Sequence, residues 1–298
     1  MKKTIFILLE IVMLTIFSAC CKWDAVSENF QNGYTYSSPL EKKYAQTGDY
    51  EVSHYTEQSA EPRIKEYSVW YPSTLAMSDT IWPVVVLANG TGVPASIYKP
   101  IFEHMASWGF ILVGNEDEWT ADGLSVCITL DYILAENENP QSVLYHKVDT
   151  SRVGLAGHSQ GGAATLAAAT LYANHTHYKA LCVQSAGGSF TDSVPGQAAS
   201  EIEAPLLMMA GTGNSDANLL CKLEAMQISY DSVRTQPAMM GRLVGMEHGD
   251  VLKRGDAYTT AWMLYWLCGD TEAGLCFVGD DAEMFSNTAW QDVQHKNL

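Results

Sequence analysis

The stretch that most constrains this chain is Arg152-Val153-Gly154-Leu155-Ala156-Gly157-His158-Ser159-Gln160-Gly161-Gly162-Ala163. An apolar run of strand character passes without a linker into Gly-His-Ser-Gln-Gly and then into an Ala-rich run of helix character. A strand can enter a helix through so sharp a turn only if the apical residue accepts a strained backbone and the residues two places to either side carry no side chain. Ser159 stands at the apex, with Gly157 and Gly161 beside it. This is the layout of a nucleophile elbow, Gly-x-Ser-x-Gly between a strand and a helix. It lifts a hydroxyl to the carboxyl edge of a sheet, above helix amides that favour developing negative charge.

The rest of the chain has the periodicity such an elbow needs. Strands are expected at 50–55, 64–71, 82–88, 110–113, 152–156, 180–184, 205–210 and 241–244, and helices at 97–108, 124–134, 162–172, 219–230 and 258–268. Val84-Val85-Val86-Leu87 is a continuous apolar run, the mark of a strand buried on both faces of a parallel sheet. Alternation of this kind implies an α/β fold with a mostly parallel central sheet and helices on both faces. With 298 residues, 47% of them hydrophobic, the chain can bury one large core. Residues 46–298 are expected to form a single α/β domain, and the protein to be a monomer.

Charge narrows the partners. Seventeen Lys and Arg against 34 Asp and Glu give a net charge of −17. A sequence-independent grip on nucleic acid is excluded, because phosphates need cationic partners. Electrostatic docking on anionic lipid is excluded for the same reason. Membrane attachment is expected only through the N-terminus. There Lys2-Lys3 precede an apolar run from Ile5 to Phe17, broken by Glu10 and Thr15, and Ser18-Ala19 precede Cys20. This is the layout of a signal peptide over residues 1–20. The Phe17-Ser18-Ala19-Cys20 end resembles a bacterial lipobox, with Cys20 as the lipidated residue and Cys21 as a second frame. The expectation is therefore an exported, membrane-anchored lipoprotein with a flexible tether over 21–45, where Asn32-Gly33 and Ser37-Ser38-Pro39 signal turns.

In an oxidising compartment some cysteines should pair. Cys268 and Cys276, separated by a short loop after a helix, are the expected disulfide, while the state of Cys127, Cys182 and Cys221 stays open. No cysteine spacing matches a zinc site, and neither a metal nor an organic cofactor is implied.

A nucleophilic serine needs a base, and the base an orienting acid. His248 fits the base: it follows the strand Arg242-Leu243-Val244 in Gly245-Met246-Glu247-His248-Gly249. His158 is adjacent to Ser159 on the tight elbow, where neighbouring side chains diverge. The acid belongs in the loop Gly211-Thr212-Gly213-Asn214-Ser215-Asp216, and Asp216 is its carboxylate. A neutral Asn214 could accept from the imidazole but would not stabilise an imidazolium; Asp192 and Asp231 are held in reserve. The backbone amides of Gln160 and of Thr91, in Asn89-Gly90-Thr91-Gly92 after the 82–88 strand, are the expected oxyanion donors.

On these residues the chain resembles the exported bacterial α/β-hydrolases of the cutinase and polyester (PET) hydrolase type, with dienelactone-hydrolase-like relatives. The likeness runs from about Gly48 to Cys276 and includes Tyr50-Glu51-Val52 and the Asp149-Thr150-Ser151-Arg152 lead-in. It implies the same Ser159, His248, Thr91 and Gln160, whereas its acid position aligns directly with Asn214, two residues before Asp216. Polyester hydrolases of this type also hold an aromatic acyl group between an aromatic residue in the oxyanion loop and a Trp after the sixth strand. Those positions are Thr91 and Gly187 here, and Trp119 is the candidate for an aromatic wall from a neighbouring loop. Only about twenty residues, Ala186 to Pro205, separate the 180–184 strand from the next, too few for a large lid domain. The resulting expectation is a serine carboxylic-ester hydrolase with an open site for an ester substrate, polymeric ones included. Its alternatives are a carbohydrate acyl-esterase or small-ester esterase of the same fold, and a non-catalytic surface binding lipoprotein on a hydrolase scaffold.

Overall fold

The computed structural model describes residues 33–186 and 199–298, so Cys20, Gly187 and Asp192 lie outside the described residues. The organising strand is β3 (Trp82–Ala88), buried along its whole length. Val85 and Leu87 enter one core while Val84 and Val86 enter another, which is why the apolar run is continuous rather than alternating. The other strands are β1 (Val52–Gln58), β2 (Glu66–Pro72), β4 (Ile111–Asn115), β5 (Val148–His158), β6 (Tyr178–Gln184), β7 (Leu206–Gly211), β8 (Ala238–Leu243) and β9 (Trp290–Lys296). They form one nine-stranded sheet in the order β1-β2-β4-β3-β5-β6-β7-β8-β9. Pairing is parallel from β4 through β8 and antiparallel for β1–β2, β2–β4 and β8–β9.

The helices are α1 (Pro39–Tyr44), α2 (Lys99–Ser107), α3 (Leu124–Glu138), α4 (Gln160–Leu171), α5 (Leu223–Ser232), α6 (His248–Arg254), α7 (Asp256–Met263), α8 (Thr271–Gly274) and α9 (Glu283–Ser286). Ile101 and Phe102 of α2, Val251 of α6 and Trp262 of α7 pack on the Val85 face. Leu130 of α3, Leu166 of α4 and Met226 of α5 pack on the Val84 face. Strand order grows outward from β3 on one side through β4 and on the other through β5. The crevice at the carboxyl ends of β3 and β5 is therefore the topological switch point, where open α/β sheets bind ligands. In that register Ala88 pairs with Gly157, so the loop after β3 lies directly beside the elbow.

Three expectations need correction. The end of the supposed tether is ordered structure: α1 docks on the core, with Tyr44 fully buried and Trp290 Nε1 donating to Glu41 Oε1 at 3.0 Å. The final strand, β9, was absent from the periodicity because it is a polar edge strand whose partner β8 lies far back in the chain. Cys268 and Cys276 are separate thiols, as are the other described cysteines Cys127, Cys182 and Cys221. Gly269, in the left-handed region at φ 69°, turns the chain between them; Cys268 stays exposed and Cys276 is buried in the core.

Candidate active site

Ser159 joins β5 to α4 with φ 58° and ψ −123°. The two glycines of the motif are steric requirements there. A Cβ on Gly157 would lie 2.1 Å from the Gly161 carbonyl oxygen, and one on Gly161 would lie 2.0 Å from the Ala88 oxygen. The Ser159 amide donates to Gln184 O of β6 at 2.8 Å, pinning the elbow to the neighbouring strand. Ser159 itself is 7% exposed.

Asp216 and His248 come together from the loops after β7 and β8. His248 is the first residue of α6, and its Nδ1–H donates to Asp216 Oδ1 at 2.6 Å. Asp216 is wholly buried, in a π-helical turn at Ser215–Leu220, and its second oxygen accepts from Ser185 Oγ at 2.5 Å and the Gly211 amide at 2.7 Å. Burial opposes ionisation of this carboxyl. The hydrogen bond and charge of His248, with the Ser185 and Gly211 donors, outweigh burial and hold it below its ordinary value. Asn214, the residue aligned by resemblance, instead accepts from Asn218 Nδ2 at 2.9 Å, and Asp231 is an exposed residue of α5.

The His248 ring packs against the His158 ring at a centroid distance of 4.7 Å, which brings it onto the elbow. His158 Nε2–H donates to the His248 carbonyl at 2.8 Å, and burial followed by the neighbouring imidazole drives its pKa well down, so the ring is neutral. Among the described residues, His248 Nε2 is buried with no hydrogen-bond partner.

On the other side of the elbow, the amides of Gly90 and Gly92 are committed, to Tyr98 Oη and Glu118 O, both at 2.9 Å. The Thr91 amide between them, and the Gln160 amide at the start of α4, make no hydrogen bond among the described residues. The loop is fixed from behind by Asn89, whose Nδ2 donates to Asn115 O at 2.6 Å and Asp117 O at 2.7 Å. Gln160 Oε1 accepts from the Thr120 amide at 2.7 Å. Trp119, one residue before Thr120 in the loop after β4, is 64% exposed.

Sequence reasoning missed Ser185, Asn89, Glu247, which accepts from the Asn214 and Ser215 amides, and Arg63, which donates to Asp117 and to Trp119 O; the partners of each lie far away in the chain. The one available signal was position: Ser185 directly follows β6, and Glu247 precedes His248. Among the described residues, no group of three or more His, Cys, Asp or Glu side chains is arranged to hold a metal, and no helix is long and apolar enough to cross a membrane.

A mostly parallel sheet with helices on both faces and a strand–Ser–helix elbow at its switch point defines an α/β-hydrolase fold. Within that class the chain matches the family described as PET hydrolase-like over residues 26–291 and belongs to it. It is also 30% identical over 107 residues to a bis(hydroxyethyl) terephthalate hydrolase of Streptomyces coelicolor (strain ATCC BAA-471 / A3(2) / M145), a match spanning 34% of this chain and 32% of that protein.

Proposed function

We propose that this protein is a serine carboxylic-ester hydrolase that works through an acyl-enzyme. The observation that carries the reading is the buried Asp216–His248 pair, whose Nε2 has no partner and whose ring packs on the elbow bearing Ser159. Ser159 Oγ attacks the ester carbonyl while His248 Nε2 takes its proton, and Asp216 stabilises the resulting imidazolium. The uncommitted Thr91 and Gln160 amides receive the oxyanion. His248 returns the proton to the departing alcohol, the acyl group stays on Ser159, and water repeats the sequence to release the acid.

Family membership and the partial similarity to a terephthalate-ester hydrolase support an aromatic or polymeric ester as substrate. Trp119 beside the oxyanion loop supplies the aromatic wall in this reading. Thr91, where polyester hydrolases carry an aromatic residue, favours a second reading: a smaller, non-aromatic ester as substrate. Export and lipid attachment at Cys20 belong to the same proposal and are supported by the residue pattern of 1–20.

The test is turnover of p-nitrophenyl esters from C2 to C12 and of bis(hydroxyethyl) terephthalate, with fluorophosphonate labelling. Stoichiometric labelling and a Ser159→Ala loss on the order of 10⁶ in kcat are expected. A wild type that neither turns over nor labels would leave a binding protein on a hydrolase scaffold.

A further inference from the structure

The loops bearing Asp216 and His248 leave neighbouring strands, so their relative placement sets the bond between the two side chains. Backbone contacts bring them close: the Gly213 amide donates to Met246 O at 2.8 Å. Side chains are excluded from that approach, since a Cβ on Gly211 or Gly213 would lie 2.1 or 2.6 Å from the same oxygen. Across this seam reaches Glu247, an exposed residue whose carboxylate has no burial to gain. Its Oε1 accepts from the Asn214 amide at 3.0 Å and its Oε2 from the Ser215 amide at 2.8 Å. Oε2 also accepts from the Ser215 hydroxyl, and that hydroxyl accepts from the His248 amide at 2.9 Å.

The direction of this relay is fixed by chemistry. An ionised carboxylate can only accept, so Ser215 Oγ–H must point at Glu247 and leave a lone pair for the His248 N–H. The Ser215 hydroxyl and the two amides hold the Glu247 carboxyl below its ordinary range, so the lock is in its ionised form at neutral pH. The relay ties the residue before Asp216 to the backbone of His248. We propose that Glu247 is a positioning residue for the reaction, locking the acid loop to the histidine loop through Ser215 without touching substrate. This inference rests on the esterase reading for its kinetic consequence but not for its geometry.

The experiment uses the full chain with Glu247→Gln, Ser215→Ala, the double variant, and Glu272→Gln as a control that removes only the exposed pair with Lys43. Gln keeps one acceptor oxygen but puts an N–H₂ against either the Asn214 amide or the Ser215 amide and hydroxyl, each of which requires an acceptor. Each single variant is expected to lower kcat for p-nitrophenyl acetate about tenfold, because small misplacements of catalytic groups are amplified in rate. KM should stay within about twofold, the pattern of an interaction lost in the transition state. The double variant should be no worse than the poorer single, since both break one relay. By proton NMR, the downfield resonance of the His248–Asp216 hydrogen bond should shift or broaden in Glu247→Gln and not in the control. Wild-type kcat with an unmoved resonance, or single effects that add fully, would overturn the proposal. So would a kcat loss matched by a rise in KM and a fall in Tm, which would mark a general loosening of the fold. A wild type without turnover whose resonance still moves in Glu247→Gln would keep the lock and remove the esterase reading.

Discussion

On one flank of Ser159, Asp216 and His248 are 0% and 7% exposed, and both carboxylate oxygens of Asp216 are hydrogen-bonded. On the other flank, Thr91 is half-buried and Trp119 is 64% exposed, and the loops that carry them are held from behind by Asn89, Tyr98, Asp117, Gln160 and Arg63. The first flank has one arrangement, because removing any donor leaves a buried carboxylate short of a hydrogen bond. The second presents surface that can change without unsatisfying the core. In the proposed reaction, the first flank does proton transfer and the second meets the substrate. Changes on the buried flank should therefore appear in kcat and in pH dependence, and changes on the exposed flank in KM.

The largest effect expected on the buried flank after loss of Ser159 comes from Asp216→Asn. The shape is kept, but the amide presents a donor to Ser185 Oγ, the Gly211 amide or His248, each of which now donates to it. The imidazole is pushed toward the wrong tautomer and its cation loses its counter-charge. A fall of about 10⁴ in kcat at near-constant KM is expected from steady-state kinetics. Retention of most activity in Asp216→Asn would move the acid elsewhere.

Two buried histidines give the next effect, in stability. His158 is held neutral, with a folded pKa below 6.5. The unfolded chain binds a proton there that the folded chain refuses, so stability falls as pH drops below about 6.5. His104 has the opposite sign. Burial disfavours its cation, but Asp256, 2.5 Å away, raises its pKa above 6.5. Its contribution is complete below 6.5 and is lost as pH rises through the raised value. Asp216, held below 3.8, adds stability above that value that disappears in stronger acid. Urea denaturation across pH should give an acid-side slope of at most about 1.4 kcal/mol per pH unit from His158. His158→Gln should flatten that slope while keeping an N–H donor for the His248 carbonyl. An unchanged slope would mean that His158 is protonated in the folded protein.

How much of this was legible in the sequence follows the same division between local and distant partners. Strand β3 and the elbow were legible because their constraints are local: an unbroken apolar run and glycines at fixed offsets from Ser159. Asp216 was separable from Asn214 only as a chemical preference for a carboxylate. The π-helical turn that carries it, with Cys221 N donating to Asp216 O at 3.0 Å, left no mark in composition. Helix α1 looked like tether because its partners lie at the far end of the chain: the Leu40 and Glu41 amides donate to Glu283, and Trp290 donates to Glu41. Cys268 and Cys276 misled for the converse reason, since nearness in sequence did not survive the turn at Gly269. Glu247 and Arg63 are ordinary surface charges until the loops they hold are seen.

The smallest effects belong to the exposed flank. Arg63 donates through Nε to Asp117 at 2.7 Å, through Nη1 and Nη2 to the two Asp122 oxygens at 2.8 Å, and through Nη2 to Trp119 O at 2.5 Å. This planar fork orients the loop that presents Trp119, and Lys cannot reproduce it. Trp119→Ala should raise KM for esters of aromatic acids such as bis(hydroxyethyl) terephthalate about fivefold, the value of one aromatic contact, with little change in kcat or in KM for p-nitrophenyl acetate, whose acyl group is not aromatic. Arg63→Ala should raise KM about two- to threefold, because its pair with Asp122 is exposed and weak, and the buried Asp117 keeps the Trp119 amide as a donor. Arg63→Lys should behave like Arg63→Ala, and the Arg63→Ala, Trp119→Ala double variant like Trp119→Ala alone, since Arg63 acts through the loop that Trp119 occupies. If Arg63→Ala instead lowers kcat with KM unchanged, the loop transmits to the Gln160 side of the oxyanion site through Thr120, and the two flanks are coupled. Equal KM changes for aromatic and acetyl esters would show that Trp119 makes no specific contact and would favour the smaller, non-aromatic substrate.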